Sequence, residues 1–315
     1  MICSIRFALL AAAAASATGA QSPANADSLL RRGSLERAES EYYAAARVRP
    51  HDPGARSGLG RYVAGRGATK VGVTLLEEAM RFGGDSAVIG AELVPMYLHL
   101  WEYNALLKLP TRVVNAAERE RARWLEAHPT RLVAPDSEVA VSYRASGDSG
   151  YLGRIPIRVN GKTVEALIAP TGGLVLSDSV AAATRVRRYA TRPAARGSST
   201  VAIGAADSMG VGRLSFMNLP IRVGASNSPA VIGLDLLGKL APTFDPKVGR
   251  VTLRVSGAAP RGAPGDPFPV LVSAADLRLL QAGGWISVVQ PPVSRLLVER
   301  SWTYDAKRGL IVLGR

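Results

Sequence analysis

The chain has 315 residues, 47% apolar and 20% charged, with 32 glycines and a formal net charge of +14. That apolar fraction supports packed cores and excludes global disorder, and the length suits two domains or three. The basic excess is mostly arginine and is spread out: net +3 over residues 21–135, +7 over 136–256 and +3 over 257–315. Arg185, Arg187 and Arg188 are the closest approach to a dense basic run, which argues against a nucleic-acid footprint.

Residues 1–20 read as a signal peptide. Arg6 supplies the charged start, Phe7 to Ala15 an apolar run too short to span a bilayer, and Thr18-Gly19-Ala20 a small-residue cleavage site. The one cysteine, Cys3, precedes that run, so the mature chain is predicted to hold no disulfide and no thiol ligand. No later segment is an uninterrupted apolar run of bilayer-spanning length, which predicts no membrane span and a periplasmic or secreted location, with a bacterial source.

Residues 21–130 read as a helical domain. Leu29, Leu30, Leu35, Ala38, Tyr42 and Ala45 recur at three- and four-residue steps, and Pro50, Asp52 and Pro53 break the pattern. Ala38, Tyr42, Ala45 and Pro50 follow Gly33 at the same offsets as Gly72, Leu76, Ala79 and Gly84 follow Gly67. This spacing resembles the tetratricopeptide repeat over residues 24–110, with a third unit from Ala87 that Trp101 and Leu106 fit poorly; a plain helical bundle is the alternative. The resemblance implies a groove for a protein partner, with Tyr42, Tyr62 and Trp101 as candidate contacts. A charged helix from Ala116 to Ala127 ends at His128-Pro129. The turn-rich stretch from Pro135 to Ser149 is taken as the junction.

From 136 to 256 the pattern turns β. Ile155 to Val159 alternates, Asn160-Gly161 is a hairpin signal, and Lys162 to Ile168 returns. Leu174 to Leu176, Thr200 to Ile203, Val211 to Phe216, Leu219 to Val223 and Arg250 to Val255 are further expected strands, with a short helix after Ser177. Short strands at this spacing suggest a small closed barrel. The loop Ala169-Pro170-Thr171-Gly172-Gly173, then Val231-Ile232-Gly233-Leu234-Asp235-Leu236-Leu237 and Thr243-Phe244-Asp245, carry a resemblance to exported bacterial retropepsin-like aspartic peptidases.

The fold class expected is therefore α+β multidomain: a helical repeat domain, then an all-β acid-protease barrel. In that family two Asp-Thr-Gly loops meet across a two-fold axis, and their carboxyls share a proton while activating a water. Here Thr171 and Gly172 fit, but Pro170 stands at the Asp position. The resemblance thus implies a pseudopeptidase that binds a peptide or protein, with no cofactor, and admits a homodimer through the barrel. The alternative is an active aspartic endopeptidase with an unrecognised carboxylate, Asp207 or Asp235; Glu165 and Asp178 are nearest in sequence but misplaced. Cleft and flap candidates are Gly173, Gly204, Gly210, Gly233 and Asp235, with a flap or ordinary hairpin from Gly197 to Gly212. Arg192 and Arg196 at its base could meet an acidic ligand.

Gly147-Asp148-Ser149-Gly150 imitates a serine-protease loop. Yet His51, His99 and His128 all lie in the helical half, which argues against a triad. No histidine pair has zinc spacing and no phosphate loop is present. Residues 257–315 form a β-rich extension in which Thr303-Tyr304-Asp305-Ala306-Lys307 echoes Thr243-Phe244-Asp245-Pro246-Lys247. Two hairpins with shared turn chemistry, or a degenerate second half-barrel, would each produce the echo.

Overall fold

The computed structural model describes residues 23–146, 150–193, 200–224, 228–260, 265–273, 276–281, 284–291 and 293–314. The predicted signal segment, Arg196, the side chain of Arg192 and most of the 147–150 motif lie outside them.

Helices come first: α1 (Pro23–Arg31), α2 (Leu35–Val48), α3 (Pro53–Gly65), α4 (Thr69–Arg81), α5 (Ser86–Leu100), α6 (Tyr103–Lys108) and α7 (Ala116–Ala127). The breakers seen in sequence act as caps. Asp52 accepts the Ala55 N–H at 2.8 Å with Pro53 at the first helical position, and Asn115 accepts the Glu118 N–H at 2.8 Å. The turns inside successive helix pairs fall at Gly33, Gly67 and Trp101, each with a positive φ (77°, 94° and 64°). The three positions are equally spaced, so Trp101 extends the recurrence read from Gly33 and Gly67.

Strands follow: β1 (Arg131–Val133), β2 (Glu138–Ser142), β3 (Arg144–Ala145), β4 (Gly153–Val159), β5 (Lys162–Ala169) and β6 (Leu174–Ser177), then helix α8 (Asp178–Ala183). Next are β7 (Arg187–Pro193), β8 (Thr200–Val211), β9 (Leu214–Gly224) and β10 (Ala230–Gly233), then helix α9 (Leu234–Leu237), β11 (Thr243–Asp245) and β12 (Arg250–Arg254). The tail adds β13 (Asp266–Val272), β14 (Leu277–Gln281), β15 (Gly284–Ser287), helix α10 (Val293–Glu299), β16 (Trp302–Asp305) and β17 (Leu310–Leu313). Asn160 and Gly161 both take positive φ (45° and 84°), as the predicted β4–β5 hairpin requires.

Two expectations are corrected. The junction at 135–149 contains β2 and β3. The three strands expected between 200 and 223 are two long ones, β8 and β9, turning at Gly212-Arg213 inside the stretch read as a strand.

Six strands close a barrel in the order β4-β5-β10-β6-β9-β8, with β8 returning to β4. The second sheet runs β15-β14-β13-β17-β16-β11-β12-β2. Within it β11 and β16 pair antiparallel, with Thr243 opposite Thr303, their hydroxyls 2.8 Å apart, and Phe244 stacked on Trp302 at 4.1 Å. Each half repeats strand, helix, hairpin: β10-α9-β11-β12 and β15-α10-β16-β17. Asp245 accepts the Val248 N–H at 3.2 Å, and Asp305 the Arg308 N–H at 3.1 Å, so the echoed turns share one chemistry. The relation is an approximate two-fold through the Thr243–Thr303 pair. One hydrophobic core runs from Val139 to Leu313, so the tail is continuous with the barrel. The edge of β11 is taken by β16 of the same chain.

Among the described residues no helix is long and apolar enough to cross a membrane. Truncating the ring at the seam, Trp302→Ala, should cost about 3–5 kcal/mol in denaturant unfolding, because the side chain is fully buried against Phe244. A loss under about 1 kcal/mol would show that the two halves do not depend on this contact.

Candidate functional site

The loop 169–173 joins β5 to β6, and β10 runs between those two strands, parallel to β5 and antiparallel to β6. This threading brings Gly233 and Asp235, far later in the chain, against the loop. The Asp235 carboxylate accepts the Gly173 N–H at 3.1 Å, and the Gly233 N–H donates to the Gly173 carbonyl at 2.6 Å. From the other side Arg222 on β9 donates to the Gly172 carbonyl at 2.7 Å. Gly172 and Gly173 both take positive φ (116° and 63°). A Cβ on Gly233 would collide with the Asp235 carboxylate and the Gly172 and Gly173 nitrogens, so glycine is required there.

The loop is therefore pinned by an acid, a guanidinium and a strand end. Pro170 supplies no carboxylate, and the 172–173 peptide groups named above are engaged within the protein. The other candidate carboxylates are held apart. Glu165 pairs with Arg154 (3.3 Å), Asp178 with Arg188 (3.1 Å) and Asp207 with Arg187 (3.4 Å), all on the surface. Asp235 serves the loop backbone. Among the described residues of the tail, β15 pairs with β14 alone, no strand threads through a loop as β10 does, and the second half carries no counterpart of 169–173. Among the described residues no group of three or more His, Cys, Asp or Glu side chains could hold a metal.

The glycines expected in a flap divide. Gly204 lies mid-strand in β8, where a Cβ would meet the Arg187 carbonyl, and Gly210 pairs with Arg158 of β4. The expected flap region falls partly on β8, which pairs with β7, and residues 194–199 between them lie outside the described residues. The β7–β8 pair is fastened to α7. Arg187 sits over the Trp124 ring at 4.9 Å, and buried Arg121 pairs with Glu118 and donates to the Ile221 carbonyl at 2.9 Å.

The three aromatic residues expected to meet a partner are placed elsewhere. Tyr42 and Tyr62 stack at 5.1 Å inside the helices, 2% and 4% exposed, with their hydroxyls on Asp27 and Glu39. They pack the helical core and have no face to offer. Trp101 packs between the helices and the barrel, edge-on to Phe216 and under the Lys239 ammonium at 4.4 Å.

Sequence reasoning missed Arg222, Lys239 and His99. Lys239 follows α9, four residues after Asp235, and donates to the His99 carbonyl at 2.6 Å. A lone arginine on an alternating strand and a histidine at a helix end carry no local signal of such contacts. Counting one more interval on from Gly67 would have put Trp101 at the same turn as the two glycines.

Burial lowers the Lys239 ammonium to about 8, against the pull of Asp235. Burial and then Lys239 lower the His99 imidazole from its ordinary 6.5 to about 4. The folded protein thus keeps His99 neutral where the unfolded chain is already protonated, and stability contributed above 6.5 is lost as pH falls towards 4. Unfolding measured across that window should show the decline, and His99→Gln should flatten it. An unchanged slope would remove His99 as its source.

No family model matches the chain, and no curated protein sequence matches it. Among solved structures, a retropepsin-like aspartic protease from Rickettsia conorii is similar over 39% of this chain and 92% of its own, at 18% identity and a TM-score of 0.28. Basic 7S globulin from soybean is similar over 46% of this chain and 56% of its own, at 12% identity and a TM-score of 0.22. The chain spans little more than half of the soybean protein. At these scores neither likeness bears on function.

Proposed function

We propose that the chain is an exported pseudopeptidase of aspartic-peptidase type that binds a peptide or protein rather than cutting it. One observation carries this reading: the loop that should present an aspartate presents Pro170, and its neighbouring peptide groups are tied to Arg222, Gly233 and Asp235. Two features support the family frame. The Thr-Gly loop is crossed by the Gly233-Leu234-Asp235 strand end, and two hairpins meet across an approximate two-fold. Two-fold pairing of loops is what the resemblance implies for an active enzyme, and here the second half has been reduced to its hairpins. The turns at 33, 67 and 101 support a tetratricopeptide-like reading of the helices, which act as the barrel's support and keep their outer faces for a partner. The apolar run after Arg6 supports export.

The purified mature chain should hydrolyse no peptide from acidic to neutral pH. Pro170→Asp rebuilds one Asp-Thr-Gly triplet and should remain inactive, because a shared proton needs a second carboxylate. Pepstatin-sensitive hydrolysis by the unaltered chain, or activity of the variant linear in its concentration, would overturn the pseudopeptidase reading. N-terminal sequencing of the exported protein tests the cleavage after Ala20.

A further inference from the structure

Asn160-Gly161 is the single Asn-Gly pair in the sequence, and it sits where the barrel closes. There β4 meets β8 over a short ladder, Arg158 opposite Gly210 and Val159 opposite Met209. Asn160 adds the next rung just beyond the strand. Its N–H donates to the Ser208 carbonyl at 3.0 Å, and its side-chain Oδ1 accepts the Ser208 N–H at 2.9 Å. The chain is already turning, with φ of 45° at Asn160 and 84° at Gly161, so a side-chain oxygen supplies the acceptor of that rung. The other end of the same amide, Nδ2, donates at 2.9 Å to the carbonyl of Thr184, the residue after α8. One side chain thus ties the β4–β5 turn to β8 and to the end of α8.

Asparagine before glycine also carries a reaction of its own. The Gly161 nitrogen, unshielded by a Cβ on its own residue, attacks Cγ of Asn160. A new N–Cγ bond forms and the Cγ–Nδ2 bond breaks. The displaced group leaves as ammonia, taking the proton that the Gly161 nitrogen gives up. Water then opens the cyclic imide at either carbonyl, leaving aspartate or isoaspartate. Attack needs Cγ turned onto the nitrogen at near-contact range. In the folded chain Oδ1 and Nδ2 are each held by a backbone group of a different element, so the amide is not free to turn. Unfolding releases both holds together.

Either product weakens the closure. Aspartate has no N–H for the Thr184 carbonyl and sets a carboxylate oxygen against it. Isoaspartate draws Cγ into the main chain and lengthens the turn between Val159 and Lys162, which face each other across the hairpin.

We propose that Asn160 is a deamidation site that the closed barrel protects and unfolding exposes, and that a chain once modified there closes β4 on β8 more weakly. Loss of ammonia makes the change one-way, so each unfolding raises the chance of the next. The site is separate from the 169–173 loop and does not depend on the function proposed above.

The test incubates the full mature chain at neutral pH, native and in guanidinium chloride, and follows the mass of the peptide that contains Asn160. Conversion is expected in the unfolded chain and should be at least about tenfold slower in the native one. At intermediate denaturant its rate should track the unfolded fraction. Equal rates in the native and unfolded chains would overturn the protection. Asn160→Asp should raise the unfolding equilibrium constant about tenfold. Unchanged stability of that variant would overturn the weakening. Should Asn160→Asp fail to fold, the partly converted wild-type mixture is refolded by dilution. Chains modified at Asn160 should then be depleted from the folded fraction, and their full recovery would sink the proposal.

Discussion

The pairing of β11 with β16 is the contact on which the rest of the β region depends. Two short strands, far apart in the chain, meet there with a threonine hydroxyl pair at the axis and Phe244 on Trp302 beside it. Every other strand of the long sheet is added outward from this pair. The helices before β11 and β16, α9 and α10, then have fixed positions, and through α9 so does Asp235. Asp235 itself is set against the 169–173 loop by β10, which ends two residues before it between β5 and β6. The loop is held by the chain that crosses it as well as by its two glycines at positive φ.

The helical region is bound to this β region at the turns within its helix pairs. Gly33 packs on Leu280 and Gly284. Gly67 approaches Ala306 so closely that a Cβ would collide with its carbonyl. Arg66 beside it donates to the Val270 and Gly309 carbonyls, the latter at 3.2 Å. Trp101 takes the third place, against Phe216 and Lys239. Each contact satisfies a backbone group or fills a gap at a helix end, where four carbonyls lack partners within the helix.

Much of this was legible in local patterns. Asn160-Gly161 marked the hairpin because two consecutive positive φ angles favour those residues. Asp52 with Pro53 marked a helix start. The echo of Thr243–Lys247 in Thr303–Lys307 was visible, but its meaning was not. Turn chemistry is local, whereas pairing between distant strands is decided by what else fills the core. The aromatic residues mislead for a related reason. A tyrosine on the inner face of a helix has the same spacing whether it lines a groove or a core, and only the distant Asp27 and Glu39 satisfy the hydroxyls that allow Tyr42 and Tyr62 to be buried. Strand β2 was hidden altogether, because its stretch read as a turn-rich junction.

Stacked helical pairs ordinarily gain or lose units freely, since each touches only its neighbours. The three turns at 33, 67 and 101 remove that freedom here. They land on β14–β15, on the β16–β17 turn and on the strip between Phe216 and Lys239, so the rise of one pair acts as a ruler matched to the width of the β region. An added or deleted pair would carry every later turn past its seat. The number of helix pairs in this chain is consequently fixed by the β region, and length variation should be confined to the outer ends of the helices and the loops facing solvent.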